Sequence, residues 1–473
     1  MIVASALRDH YDVAVVGAGP AGLAAAALCA RAGLTCVLFD DQPNPGGQIY
    51  RGVTNSPFDR GTVLGGDYWR GESLVGAALG SGAHYFSGAS VWGLLRENEI
   101  AVSLGGGTRQ IHAARIILAT GAIERPFPIQ GWTLPGVMTA GAAQILLKSS
   151  ALVPTGRTLL AGCGPLLWLL AWQYLNAGVR LHAILDTALA ANWRRAMRHA
   201  AAFVASPYLA KGLRLMFDVR REVRVVPRVV EIAAEGGERI EAVIYRTARG
   251  RSERLAADML LLHQGVVPNV NLAMSANIAH RWSEEQLCWV PCVDSYGSTT
   301  VPHIAVAGDG AGIAGAEAAE ARGRLAAITT IRALKEEFPV GELERAARKS
   351  LDQYQRGRAF LDCLYQPATN FRRPRGDTLV CRCEEVTARQ VLETAALGCP
   401  GPNQMKAFLR CGMGACQGRF CGLTVTELMA EARGLSCAEI GYYRLRPPVK
   451  PITLAEIASL PADEAAVNAV ARE

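Results

Sequence analysis

Several signatures are missing from this chain of 473 residues. Its first residues, MIVASALRDHYD, lack the charged start, apolar run and small-residue cleavage site of a secretory signal. The cysteines are therefore expected to stay reduced, and clustered ones read as metal ligands rather than disulfides. No Walker loop and no nucleophile elbow occurs, none of the 8 histidines sits in a metal-binding helix motif, and no acid–base constellation is local in sequence. No residue is accordingly assigned a catalytic role. The uncharged run from Thr158 to Leu175 is long enough to raise a membrane question, but its Gly-Cys-Gly-Pro break makes it a buried strand followed by a helix. The chain is expected to be cytoplasmic, or peripheral to the inner membrane, with no transmembrane segment. Net charge is only +7, too small an excess to argue for nucleic acid. Lysine is scarce, with 6 residues among 49 basic ones, which fits a nucleotide-composition bias of the host. With 50% apolar and 19% charged residues, a disordered or fibrous protein is excluded.

What is present begins with an apolar strand, Tyr11 to Val16, running into GAGPAG and an alanine-rich helix. A second strand, Cys36 to Phe39, ends in Asp40 and Asp41, completing a βαβ opening. The pattern restarts near Thr158 with AGCGPL, an apolar helix and a strand ending in Asp186. Two such units imply a duplicated architecture. The expected division is a discontinuous first nucleotide domain at 1–146 and 264–335, a second at 147–263, a linker at 336–376, a cysteine module at 377–431 and a tail at 432–473. A basic insertion, 187–228, lies in the second domain. All of the net charge falls between Arg194 and Arg228, a stretch read as either a docking surface or nucleotide clamp, or a plain solvated helical face.

Each part of the first loop has a task. Gly17 permits the tight turn, Gly19 (with Pro20 and Ala21 after it) lets backbone approach a pyrophosphate, and Gly22 lets helix and strand pack closely. The helix N-terminus then faces phosphate, and Asp40, with Asp41 as fallback, takes ribose hydroxyls. Three further elements follow: Gly46-Gly47-Gln48, Ala119-Thr120-Gly121 and Ala307-Gly308-Asp309. In this order they resemble the two-dinucleotide-domain flavoproteins, which include thioredoxin reductase and the sarcosine oxidase α subunit. The resemblance implies an α/β fold of tandem Rossmann-like domains holding FAD, with Asp309 on its ribityl–phosphate part.

The second loop keeps Gly162 and Gly164 but carries Leu167 in place of the third glycine, with Asp186 beyond it. A leucine there should hold the helix away from the strand and distort the phosphate cradle. The resemblance makes this the NAD(P)H domain. The residues leave open a working NADH site or a vestigial one holding an adenine nucleotide, NAD(H) or ATP/ADP.

Cys381-x-Cys383 is followed by Cys416-x4-Cys421 within RCGMGACQGRFC. Four thiolates among small residues suit a 2Fe–2S cluster, and a C-x-C pair argues against zinc. Cys411 shares the x4 spacing with Cys416, and its part in the cluster stays open. The module resembles the bacterioferritin-associated-ferredoxin type in its fused form. In that pattern the position before GMG is not a ligand, so the resemblance assigns Cys381, Cys383, Cys416 and Cys421.

Taken with GVVPN (265–269), GDGAGIAGAEAAEARGRLAA (308–327) and CRCEEV (381–386), the chain resembles α subunits of multi-subunit bacterial flavoprotein dehydrogenases of the opine oxidase and D-hydroxyproline dehydrogenase type. That resemblance implies a β subunit whose own FAD oxidises a secondary amine, a small γ protein with a further 2Fe–2S centre, and FMN held between α and β. The chain would pass electrons through FAD and cluster. Two rival readings are a self-contained NAD(P)H-dependent reductase and a structural FAD-binding scaffold.

Overall fold

A computed structural model describes residues 6–95 and 98–460. Two sheets carry the two glycine loops, the first mixed, with Gly107–Leu118, Glu99–Leu104 and Ser90–Leu94 antiparallel to one another in turn and its other pairings parallel. The first has seven strands, ordered His84–Ser87, Cys36–Asp40, His10–Val16, Gly107–Leu118, Glu99–Leu104 and Ser90–Leu94, with Ile304–Val306 also paired to Gly107–Leu118. Strands buried on both faces read as continuous apolar runs, and Cys36–Asp40 is buried at every position. The helix Pro20–Arg31 packs against Ala316–Leu334 with backbones nearly touching, because a Cβ on Gly323 would collide with Ala21 O.

The second sheet is parallel throughout: Val225–Val226, Leu181–Asp186, Thr158–Gly162, Met259–His263 and Val137–Thr139. An antiparallel pair, Ala122–Glu124 with Val266–Pro268, carries the chain across and back. Val137–Thr139 thus joins the second sheet, so the chain crosses well before the expected 146/147 boundary. A strand of three residues between a Leu-Pro-Gly turn and the helix Ala140–Ser150 leaves little period-2 signal to read.

The stretch 336–376 is not an unstructured connector. It holds helices Gly341–Gln355, Arg358–Leu364 and Thr369–Arg372. The first is charged because only Ala347 of its residues is buried; the second packs Phe360 and Leu364 on Ala196 of the basic insertion. That insertion forms Ala190–Ala196, Ala200–Val204 and Tyr208–Glu222. Beyond 431, the expected tail folds into the cysteine module as far as Leu445: Cys437, Ile440, Tyr443 and Leu445 share its core with Cys381, Cys411 and Cys421.

Candidate functional site

A cleft of about 2000 Å³ runs along both glycine loops and reaches the cysteine module. At its first loop the backbone adopts the geometry that the glycines were expected to permit. Gly17 has φ 107°, and a Cβ on Gly22 would collide with Gly17 O. A Cβ on Gly47 would stand 2.8 Å from Gly19 Cα, so the GGQ loop closes directly over the phosphate turn. The helix Pro20–Arg31 starts without a side-chain cap, leaving its N–H groups for an anion. Asp40 accepts from Ala18 N at 2.6 Å and Gln42 N at 2.8 Å. Burial pushes its carboxyl up, against the lowering effect of those N–H groups. Asp41, the fallback, instead pairs with Lys450 at 3.1 Å.

The other flavin-loop residues converge on the same cleft. Thr120 Oγ1 donates to Asn269 O, and Gly121 has φ 64°. Gly46 has φ 122°, and Gln48 accepts from Arg51 at 3.1 Å. Gly308 lies against Ala21, and Asp309 Oδ1 accepts from Ala314 N and Gly315 N, which turns the start of Ala316–Leu334 toward the cleft. These residues fit a dinucleotide whose pyrophosphate rests on Gly17–Gly22.

Two cations on the cleft wall were not assigned from sequence. Arg51 is 8% exposed and Lys148 1% exposed, yet neither touches a carboxylate. Lys148 Nζ donates to Gln48 O, Ile49 O and Gln144 Oε1; burial, then the Arg51 charge, pushes it down to about 7. Buried positive charge without a carboxylate partner is costly, and an anion in the cleft would offset it. A lone lysine in a helical apolar pattern carries no such signal in sequence.

At the second loop, Gly162 lies under His263 O and Gly164 under the His263 ring. Leu167 is fully buried, and Asp186 accepts from Ala188 N at 2.9 Å. Of Gly162, Gly164 and Asp186, only Gly164 lines the cleft. Tyr365, from the segment expected to be a linker, covers this loop. Its carbonyl accepts from the Cys163 thiol at 3.5 Å, its hydroxyl bonds Trp168, and burial, then the nearby Asp186 and Cys163, push its phenol up. Asn192 Nδ2 pins the segment by donating to Leu364 O and Gln366 O. Trp193, Met197, Val204 and Leu213, all exposed, edge the same cleft.

The structure also assembles an acid–base pair across 139 residues. Glu124 Oε1 lies 2.6 Å from His263 Nδ1, and Glu124 Oε2 accepts from Gly141 N. Both side chains line the cleft. Only tertiary structure brings them together.

In the cysteine module the grouping differs from the expected foursome. Cys381, Cys411 and Cys421 lie buried with their sulfurs within 4.8 Å of one another, whereas Cys383 and Cys416 are hydrogen-bonded to each other nearer the surface. Cys411 therefore belongs to the buried group although the ligand set omitted it. Arg410 (φ 57°) and Gly412 (φ 87°) turn the chain sharply at Cys411, and the fold brings Tyr443 over it. Hydrogen bonds from Cys411 and Cys421 hold the Cys381 sulfur far below the usual thiol range, which favours a thiolate. Gly414 packs on Cys383, where a Cβ would stand 3.1 Å from its sulfur. The module meets the cleft directly: Arg419 and Phe420, just before Cys421, line it, and Asn271, also in its wall, donates to Gln417 O at 2.9 Å.

Residues 11–332 match the pyridine nucleotide-disulphide oxidoreductase family, and residues 375–460 match the sarcosine oxidase A3 domain. Across 99% of its length the chain is 48% identical to the A subunit of opine oxidase from Agrobacterium tumefaciens (strain Ach5), covering 95% of that protein. It is 32% identical, over 94% of the chain and 98% of the relative, to the HcnB subunit of hydrogen cyanide synthase from Pseudomonas aeruginosa. Among solved structures, the L-proline dehydrogenase of P. horikoshii superposes with a TM-score of 0.70 at 20% identity, over 95% of this chain and 79% of that one, which shows the shared fold. Among the described residues no helix is long and apolar enough to cross a membrane.

Proposed function

The chain belongs to the family of opine oxidase A subunits, which are flavoprotein oxidoreductases, and we propose that it is the electron-transfer α subunit of a heteromeric dehydrogenase for a secondary amine or imino acid. A β subunit with its own FAD oxidises the C–N bond; this chain receives the electrons and passes them on, in the cytoplasm or at the inner-membrane surface. A γ protein with a 2Fe–2S centre and an FMN between α and β complete the assembly. FAD bound here supplies storage for one or two electrons, and a 2Fe–2S cluster relays one at a time.

The chain's own residues bind and space these groups. Gly17, Gly19, Pro20, Ala21 and Gly22 hold the pyrophosphate, Asp40 the ribose, and Gly46, Gly47, Gln48, Thr120, Gly121, Gly308 and Asp309 the flavin end. Arg51 and Lys148 supply positive charge to the same wall. Cys381 and Cys421, which share the buried group with Cys411, and the Cys383–Cys416 pair would supply the four thiolates of a two-iron cluster. The observation that carries the reading is the junction of the two centres: Arg419, Phe420 and the Asn271–Gln417 bond join the cleft to the cysteine loop. The exposed apolar residues at the cleft mouth, themselves part of the basic insertion, suit a docking partner.

The rival reading, hydride from NAD(P)H at Gly162, Gly164 and Asp186, has positive-φ glycines in its favour, but Tyr365 lies over the loop. An anaerobic visible spectrum of the purified chain before and after NADH separates the two. Flavin and cluster bands that stay oxidised support the electron-transfer reading; rapid bleaching of flavin followed by cluster reduction overturns it.

A further inference from the structure

A chain that takes up two electrons and releases them singly has a proton to place, and no residue assigned above handles it. The Glu124–His263 pair is built for such a task. His263 is 2% exposed and Glu124 11% by side chain, and they approach to 2.6 Å. Glu124 is oriented by the Gly141 N–H at 2.8 Å, and Gly141 leaves room for it, since a Cβ there would clash with Glu124 Oε2. The carboxylate fixes the His263 proton on Nδ1, which leaves the Nε2 lone pair free. Nε2 faces Gly164, where a Cβ would stand at 3.0 Å, and Gly164 lines the cleft. His263 is the single histidine among the described residues lining that cleft. The neighbouring charged groups do not compete for its proton. Arg125 turns its guanidinium onto Gln286 O and Leu287 O, and the Cys163 thiol, on the loop whose N–H bonds His263 O, is pushed up to about 12 by burial.

We propose that His263, oriented by Glu124, is the proton acceptor of the cleft, taking the proton that reduced flavin releases as its electrons depart one at a time. This rests on the electron-transfer reading. In returning to the oxidised state, anionic reduced FAD gives up two electrons and one proton. Two equivalents of a one-electron acceptor take the electrons, the proton goes to His263 Nε2, and the resulting imidazolium is held by the Glu124 carboxylate until water in the cleft removes the proton. Glu124 ends the linking strand Ala122–Glu124 and His263 ends the second-sheet strand Met259–His263, so the chain's own strands hold the pair together.

The test uses the FAD-loaded chain alone, reduced anaerobically with dithionite and reoxidised by ferricyanide, which accepts electrons but no proton. In H263Q, reoxidation at pH 8 should slow by about 10²-fold, the usual scale of a positioned acid or base. Added imidazole should restore part of the rate in H263A, and E124Q should show a smaller loss. Flavin content and thermal midpoint read a structural role separately. The flavin midpoint potential, measured against pH, should differ in slope between the wild type and H263Q. Unchanged rate and slope in flavin-replete H263Q overturn the proposal; where H263Q fails to retain flavin, E124Q carries the same comparison. Failure of the electron-transfer reading shows differently, as flavin reduction by NADH with the His263 dependence intact.

Discussion

At Gly22 the constraint is steric: any side chain enters the carbonyl of Gly17 and forces helix from strand. Gly22→Val should therefore yield protein with less than a tenth of the wild-type flavin, read from the 450-nm band relative to protein, and a lowered thermal midpoint. At Lys148 the constraint is electrostatic. Its ammonium is buried and pushed down to about 7, so above that pH the apoprotein holds a neutral amine. An anionic dinucleotide facing it would raise that value, so binding takes up a proton. By linkage FAD affinity should be greatest below pH 7 and weaken by up to tenfold per unit as pH rises above it. Lys148→Met should flatten this dependence, which titration of apoprotein with FAD at pH 6, 7, 8 and 9 would reveal. At the cysteines, the proposed cluster predicts that Cys416→Ser abolishes iron and sulfide content while Cys411→Ser keeps both, read by metal and acid-labile sulfide assay. Loss of iron in Cys411→Ser would make Cys411 a ligand.

Among the elements, the segment 336–376 shows how a polar, irregular sequence can still be structural. Its short helices fix the basic insertion, cover the second glycine loop and anchor the cysteine module. Glu427 of that module is 1% exposed and pairs with Arg372, with Arg373 at 3.6 Å. Arg372→Ala leaves the buried carboxylate with Arg373 as its one remaining ion-pair partner. It should cost about 3 kcal/mol, the lower end for a broken buried pair, measurable by denaturant unfolding. Tyr365 is the other notable residue of this segment, because its carbonyl accepts from the Cys163 thiol on the second glycine loop and its hydroxyl bonds Trp168 of the following helix.

Across the whole molecule, two sheets and the cysteine module are arranged around one cleft. The connecting strands Ala122–Glu124 and Val266–Pro268 lie between the sheets, so the residues that line the cleft come from every part of the chain. A partner at the cleft mouth would meet Trp193, Met197 and Leu213 together with the basic residues of the insertion. Burying this apolar edge predicts association that survives high salt in a sedimentation experiment, because apolar contact is not screened whereas exposed ion pairs are.

The two glycine loops, their strands and helices, and the cysteine-rich module were legible before any fold was known, because each depends on residues a few positions apart: Gly17 beside Gly22, Cys381 beside Cys383. Asp40 was legible too, since the βαβ unit carries it back to the loop. Whatever depends on chain crossings was not. Folding paired Glu124 with His263, left Arg51 and Lys148 without carboxylates, laid Tyr365 over Cys163 and brought Cys411 under Tyr443. Local periodicity encodes which face of an element is buried, but not which distant side chain meets it there.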